Sequence, residues 1–107
     1  MSGATRPTRV VTVFRSRLRD NAGDEYRETA ARMEALARAM PGFVSFKAFT
    51  ADDGERVSII EFDAMEAQRA WREHPEHRAA QAAGREKFYE FYNLQVCELV
   101  RERSFTA

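Results

Sequence analysis

The chain has 107 residues, of which 44% are hydrophobic and 32% charged, as in one ordinary soluble globular domain. Its 17 basic and 17 acidic side chains cancel, which argues against nucleic acid as a partner. A single cysteine, Cys97, excludes an internal disulfide and favours a cytoplasmic location, and no apolar run is long enough to span a membrane. We expect Cys97 to be buried, residues 1–8 to form a flexible tail and residues 9–104 to form the domain.

The chain begins with a strand and a helix. Residues 10–18, VVTVFRSRL, are rich in β-branched side chains and predict a strand. Asp24 is placed as the N-cap of a helix, in which apolar side chains recur every three or four residues from Tyr26 to Met40. Pro41 and Gly42 end this helix.

A hairpin follows the first helix. Residues 43–50 and 56–63 have strand composition, and the loop between them contains the Asp-Gly turn signal. Residues 65–73 predict a short helix. Pro75 interrupts it, because proline is tolerated at the start of a helix and not in its interior. A second helix is expected from Pro75 to about residue 92, with Phe88, Phe91 and Tyr92 in the core, and a fourth strand over residues 93–103.

The order of these elements is β-α-β-β-α-β, which predicts a ferredoxin-like α+β fold with a four-stranded antiparallel sheet. Both faces of the predicted strands carry apolar side chains, although two helices can cover only one face. An uncovered apolar sheet face is typical of an interface, and a second copy of the same sheet would cover it. The sequence therefore predicts a homodimer with its sheets packed face to face.

Three segments carry a resemblance to a known family. The run PGFVSFKAFTADDGERVSIIEF, the later AWREHPEHRAAQ and the final LQVCELV resemble the antibiotic biosynthesis monooxygenase domain family over about residues 9–103. The resemblance implies a dimeric α+β barrel with a pocket between sheet and helices in each monomer. Members of the family include cofactor-independent monooxygenases that oxidise polycyclic phenols to quinones, and others that degrade haem.

Few family residues can be carried over to this chain. Trp71 matches a tryptophan that both kinds of member use. Quinone-forming members have an asparagine one turn earlier and a tyrosine shortly after, and Ala67 and His77 occupy the approximate places here. Haem-degrading members use a first-strand asparagine and, ten residues after the tryptophan, a histidine; this chain has no asparagine in that strand and Gln81 at the second place.

The segment AWREHPEHRAAQ contains the only tryptophan and both histidines of the chain. A helix break separates His74 from His77 and no metal-ligand motif is present, so no metal site is predicted. His77 suits the base that deprotonates a phenol, and Trp71 suits an apolar wall for a planar substrate. In the structural alternative, Trp71 packs the helices onto the sheet, His74 caps the second helix and His77 lies on its solvated face.

Substrate contacts are predicted for aromatic and polar side chains around the pocket: Phe14, Phe62, His74, Arg78 and Tyr89. The favoured function is a small cofactor-independent monooxygenase that uses dioxygen on an aromatic or phenolic molecule, with Trp71 and His77 as catalytic residues. The alternatives are a haem-binding or haem-degrading protein, and a non-catalytic dimeric module that binds a small apolar molecule or a partner protein.

Overall fold

A computed structural model describes residues 8–107 of the chain as one four-stranded antiparallel sheet with helices packed on one face. The spatial order of the strands is β2-β3-β1-β4, and the predicted ferredoxin-like α+β fold is confirmed. The predicted tail lies, apart from residue 8, outside the described residues, and the bounds of the domain stay a prediction. The elements are β1 (Val10–Leu18), α1 (Gly23–Ala39), β2 (Phe43–Thr50), β3 (Arg56–Phe62), α2 (Met65–Glu73), α3 (Pro75–Ala83), one π-helical turn (Gly84–Phe88) and β4 (Tyr89–Glu98).

The hydrophobic core lies between the sheet and helices α1 and α2. Ile60 and Phe62 on β3 are buried against Ala37 of α1 and Trp71 of α2. The ring centroids of Phe62 and Trp71 are 5.6 Å apart, a distance typical of aromatic pairs in cores. Burying a side chain such as Phe62 stabilises the fold by about 1.5–3 kcal/mol.

The opposite face of the sheet has no helix over it. Val11 and Val13 of β1 point to this uncovered face, because they alternate along the strand with the helix-facing side chains. Val13 lies opposite Ile59 of β3. Val57 shares this face, and all four side chains are only half-buried. Apolar side chains therefore occupy both faces of the sheet.

Two helix starts differ in how they are capped. The prediction that Asp24 is the N-cap of α1 is wrong: the helix begins at Gly23, and the Asp24 carboxylate, in the first turn, pairs with Arg27 at 2.7 Å. At α3, His74 Nδ1 accepts a hydrogen bond from the backbone N–H of Glu76 at 3.2 Å, and Pro75 is the first helical residue. The predicted helix break at His74 and its capping role are thus present in the structure.

The end of the domain differs from the prediction. Helix α3 ends at Ala83 rather than near residue 92, and β4 covers Tyr89–Glu98 rather than residues 93–103. The reason is the partner strand, because β1 extends from Val10, opposite Glu98, to Leu18, opposite Tyr89. Aromatic residues favour strands, so the run YEFY takes the available pairing although its spacing also suits a helix.

Two expectations about burial in this region are wrong. Phe91 and Tyr92 are 42% and 41% exposed on β4 rather than buried in a helix, whereas Phe88 is buried as expected. Cys97 is exposed, because it lies on the uncovered sheet face opposite Val11.

Candidate functional site

A cavity of about 250 Å³ lies between the helix-facing side of the sheet and the three helices. Most of its lining side chains are apolar or aromatic, as is usual for small-molecule pockets. Tyr92 and Leu94 of β4 belong to the lining and are exposed, so the cavity opens near this edge strand. Its principal lining residues are Thr12, Phe14, Ser16, Tyr26, Met33, Phe46, Arg56, Gln68, Trp71, Arg72, His77, Gln81, Arg85, Phe88, Tyr89, Tyr92 and Leu94.

Trp71 and His77 form a stacked pair in the cavity lining. Their ring centroids are 4.1 Å apart and the ring planes are inclined by 27°. The chain bend at His74 makes this contact possible, because it separates the helix that carries Trp71 from the one that carries His77. Trp71 is 5% exposed, so the pair presents a rigid aromatic wall.

Hydrogen bonding and burial decide the protonation of His77. Its Nδ1 lies 3.1 Å from the backbone oxygen of Trp71, which can only accept, so Nδ1 carries the proton. Burial lowers the pKa of His77, and the charge on His74 lowers it further, against the opposing effect of the Trp71 hydrogen bond. The ring is therefore neutral at neutral pH, and its Nε2 has a free lone pair.

Three buried polar atoms in the cavity lining have no hydrogen-bond partner among the described residues. They are Thr12 Oγ1, Gln68 Oε1 and Trp71 Nε1. An unpaired buried polar group costs about 1–3 kcal/mol. The indole N–H can only donate, the amide oxygen can only accept and the hydroxyl can do both, so together they match a ligand hydroxyl or carbonyl group.

Tyrosines and an arginine surround another part of the cavity. The Tyr89 ring lies 5.4 Å from Phe14 and 6.0 Å from Tyr26, measured between centroids. The guanidinium carbon of Arg56 lies 5.6 Å from the centre of the Tyr26 ring. Burial raises the pKa of Tyr89, so this phenol stays protonated and can donate a hydrogen bond but cannot act as a base at neutral pH.

The π-helical turn delivers Arg85, Phe88 and Tyr89 to the cavity. Arg19 holds this turn, because its side chain donates to the backbone oxygens of Arg85, Glu86 and Tyr89 at 3.2, 2.8 and 3.0 Å. Gly84 packs under the Tyr89 ring: a Cβ there would lie 2.7 Å from a carbon of that ring. The position of Tyr89 therefore depends on both residues.

Comparisons with known proteins place the chain in a family. Residues 9–83 match the family described as antibiotic biosynthesis monooxygenase. The chain belongs to this family. The protein YqjZ of Bacillus subtilis (strain 168), which is uncharacterised, is 40% identical over 80 residues, corresponding to 75% of this chain and 70% of YqjZ.

Solved structures share the fold of this family member at lower identity. Rv0793 from Mycobacterium tuberculosis superposes with a TM-score of 0.79 at 22% identity, covering 91% of this chain and 100% of Rv0793. SnoaB from Streptomyces nogalater, a cofactor-independent oxygenase, superposes with a TM-score of 0.74 at 21% identity over 90% of this chain and 96% of SnoaB. A dimeric ferredoxin-like protein from Thermobifida fusca gives 0.68 at 16% identity, over 92% and 97% of the two chains.

In this antibiotic biosynthesis monooxygenase family member, the predicted site residues divide into two groups. Trp71, His77, Phe14 and Tyr89 line the cavity together. The other three do not line it. Phe62 is fully buried in the core, His74 caps α3, and Arg78 is on the surface with its guanidinium 3.9 Å from the Glu73 carboxylate.

Sequence reasoning missed Thr12 and Gln68. Thr12 lies two residues before Phe14 on β1, and Gln68 lies three residues before Trp71 on α2. These spacings place each residue on the same face as a predicted site residue, so the sequence could have identified both. No group of three or more His, Cys, Asp or Glu side chains within residues 8–107 could hold a metal ion. In the same range, no helix is long and apolar enough to cross a membrane.

Proposed function

We propose that this protein is a cofactor-independent monooxygenase that oxidises a planar aromatic or phenolic molecule inside the cavity. The observation that carries the proposal is the stacked Trp71–His77 pair, with ring centroids 4.1 Å apart, in the lining of a largely apolar cavity. Family membership and the similarity in fold to SnoaB support the same reaction class.

The first step of the proposed reaction is proton transfer. His77 is neutral and has its lone pair on Nε2, so it can take the proton of a bound phenol. Trp71 lies beside it and offers a planar apolar surface on which the aromatic rings of the substrate would stack. The unpaired Thr12, Gln68 and Trp71 polar atoms would bind the oxygen substituents of the substrate and orient it.

The later steps follow from the chemistry of the phenolate. The anion transfers one electron to dioxygen, and the resulting substrate radical and superoxide combine to form a peroxide anion. Proton return from the His77 imidazolium gives a hydroperoxide on a ring carbon. Loss of the single C–H proton from that carbon, with cleavage of the O–O bond, gives a quinone carbonyl and hydroxide, which takes up the released proton to form water. The substrate thereby loses four electrons in total, and these reduce one dioxygen molecule to the carbonyl oxygen and water.

Haem does not fit these residues well. The position ten residues after Trp71 is Gln81, whose side-chain N–H donates to the Arg72 backbone oxygen at 3.3 Å. The cavity of about 250 Å³ is also below the ~300–1,000 Å³ of pockets for drug-sized ligands, and haem is a larger molecule than most of these.

We further propose that the protein is a homodimer whose uncovered sheet faces pack against each other. Half-buried Val11, Val13, Val57 and Ile59 form the centre of this face, and Phe49 at its edge is 50% exposed. A contiguous apolar surface of this kind is usually covered by a partner. The dimeric ferredoxin-like neighbour from Thermobifida fusca has the same fold.

Oxygen consumption tests the proposed activity. Metal-free protein is mixed with anthrone, and oxygen uptake and the anthraquinone product are measured together. We expect His77→Ala to lower kcat/KM on the order of 10²-fold or more, as for loss of a general base. Trp71→Phe should lower it less, because an aromatic wall remains.

Arg27→Gln provides the control, because Arg27 pairs with Asp24 on the surface of α1, away from the cavity. Equal rates for the wild type, Trp71→Phe and His77→Ala would remove these residues from the mechanism. Binding without turnover would favour the non-catalytic module. A Soret shift on adding hemin to the metal-free protein would revive the haem alternative.

A further inference from the structure

The cavity lining is positively charged although the whole chain is neutral. Its lining includes three arginines, Arg56, Arg72 and Arg85, and no aspartate or glutamate among the described residues. The chain as a whole has 17 basic and 17 acidic residues, so an even distribution would have mixed the two signs here. One sign of charge in a low-dielectric cleft concentrates ligands of the opposite sign.

These three arginines also lack carboxylate partners within residues 8–107. By contrast, salt bridges to acidic side chains occupy six other arginines: Arg9, Arg15, Arg17, Arg27, Arg38 and Arg78. Arg56 and Arg72 are half-buried, and a guanidinium that loses water without gaining an anion is costly. A free anionic ligand would supply the missing partner.

Arg56 has a defined place in the cavity. It lies opposite Ser16 in the β1–β3 register, and its guanidinium carbon is 5.6 Å from the centre of the Tyr26 ring, which restrains it. Thr12, whose hydroxyl is unpaired, is four residues away from Ser16 along β1, or about 13 Å at the usual rise of a strand. That separation suits a bicyclic or tricyclic aromatic molecule with a neutral oxygen at one end and an anionic group at the other.

We propose that the substrate is an aromatic carboxylic acid whose carboxylate is bound by Arg56 with help from Arg85. A carboxylate conjugated to an aromatic ring is planar, as is the guanidinium group, and the two can form paired hydrogen bonds. The identity of the molecule as a substrate rests on the proposed monooxygenase function. Its recognition as an anion does not, because binding can be measured without turnover.

Equilibrium binding of a matched pair of probes tests the proposal. Naphthoate and naphthamide have the same shape and differ in charge, and neither has a phenol to oxidise. Binding is followed by the fluorescence of Trp71, the only tryptophan, and by calorimetry. At low ionic strength we expect naphthoate to bind on the order of tenfold more tightly, or about 1.4 kcal/mol, and the preference to shrink as salt is added.

Variants assign this preference to residues. Arg56→Gln and Arg85→Gln together should bring the two affinities close to each other, whereas Arg56→Lys should retain part of the preference. Arg38→Gln is the matched control, because Arg38 pairs with Glu34 outside the cavity lining. Thermal unfolding verifies that each variant is folded. If Arg56→Gln does not fold, Arg85→Gln is measured alone, because Arg85 is exposed and its replacement leaves the fold intact.

Three results would overturn the proposal: equal affinities for the two probes, a preference that survives in the double variant, or no binding of naphthoate at all. Failure of the oxygenase function gives a different pattern. In that case naphthoate is still preferred over naphthamide, but hydroxylated aromatic acids bind without oxygen uptake.

Discussion

Individual buried polar side chains distinguish this cavity from a packing defect. Thr12 and Gln68 are each 1% exposed, and each has a polar atom without a partner in the described part of the chain. Residues selected only for stability would be apolar at these positions. Their presence in the cavity lining is consistent with a role in ligand binding that costs some stability in the free protein.

Replacing Thr12 by valine tests this interpretation. Valine has nearly the same shape and no unpaired hydroxyl, so we expect the free energy of unfolding to rise by about 1 kcal/mol. The affinity for a hydroxylated aromatic ligand should fall at the same time. Chemical denaturation and ligand titration measure the two changes.

Thr50→Val is the matched control for Thr12→Val. Thr50 ends β2 and is exposed, so its replacement should change neither quantity by more than about 0.5 kcal/mol. A loss of stability in Thr12→Val would indicate that the hydroxyl already has a partner in the free protein.

His77 makes the stability depend on pH in a defined direction. Burial lowers its pKa in the folded protein below the ordinary value of 6.5. Below about pH 6.5 the unfolded chain therefore binds a proton that the folded protein does not, and stability falls as pH falls towards the folded pKa. Above about pH 6.5 His77 is neutral in both states, so its titration no longer lowers the stability.

We expect the melting temperature of the wild type to fall more between about pH 7.5 and about pH 5.5 than that of His77→Gln. Other groups titrate in both proteins, so the difference between the two curves isolates His77. Parallel curves would contradict the neutral, buried state that the proposed base requires.

The sequence located the centre of the site better than its surroundings. The clustering of rare residue types drew attention to Trp71 and His77, and their shared cavity is consistent with that interpretation. Arg78, predicted to contact the substrate, lies on the surface, whereas Arg56 of β3 lines the cavity. Which side chains meet across a sheet depends on strand register, and a single sequence leaves that pairing open.

Among the secondary-structure elements, the π-helical turn has the most direct connection to the cavity. It joins α3 to β4 without a loop, places Arg85 and Phe88 in the cavity lining, and is followed directly by Tyr89. Its wide backbone is held by Arg19, whose three side-chain bonds go to carbonyl oxygens of the turn and of Tyr89. Such turns occur frequently at functional sites.

Arg19→Lys should loosen this turn, because an ammonium group cannot reproduce the planar fork of donors. We expect the free energy of unfolding to fall by about 1–2 kcal/mol and ligand affinity to fall as Tyr89 shifts. Arg27→Lys, at a surface pair, should change stability by less than about 0.5 kcal/mol. Hydrogen exchange of the amides in and after the turn would verify that the change is local; unaltered exchange would contradict it.

Most elements were predictable because local signals agreed with the fold. The bounds of β1 and β2, the Asp-Gly hairpin and the bend at His74 follow from turn chemistry and residue type. The start of β4 was not predictable in this way. KFYEFY suits a helix by spacing and a strand by composition, and only the length of β1, its partner in the sheet, decides between them.

At the scale of the whole molecule, the uncovered sheet face and the C-terminal segment both expose apolar side chains. Val100 and Phe105, beyond the end of β4, are 94% and 89% exposed. A single chain would leave these side chains in water, in addition to the partly exposed valines and Ile59 of the sheet face. The proposed homodimer accounts for the uncovered sheet face, because each sheet would cover the other.

Val13→Glu tests the homodimer. Val13 lies near the centre of the uncovered face, opposite Ile59 and Gln95, so a charge there should prevent the sheets from packing without entering the core. Sedimentation at micromolar concentration should give a dimer for the wild type and a monomer for Val13→Glu. Ala35→Glu, at an exposed position on α1, should remain dimeric. A monomeric wild type would exclude the proposed assembly.

The direct junction between the π-helical turn and β4 also limits where the chain can accept insertions and deletions. The β2–β3 hairpin can gain or lose residues at its tip, whereas one residue removed from Gly84–Phe88 would slip the edge strand and exchange its two sets of side chains. Tyr92 and Leu94 would then leave the cavity lining, and Phe91 would turn towards the cavity. We therefore expect natural relatives to accept insertions at the hairpin and to keep a constant number of residues between Pro75 and Tyr89.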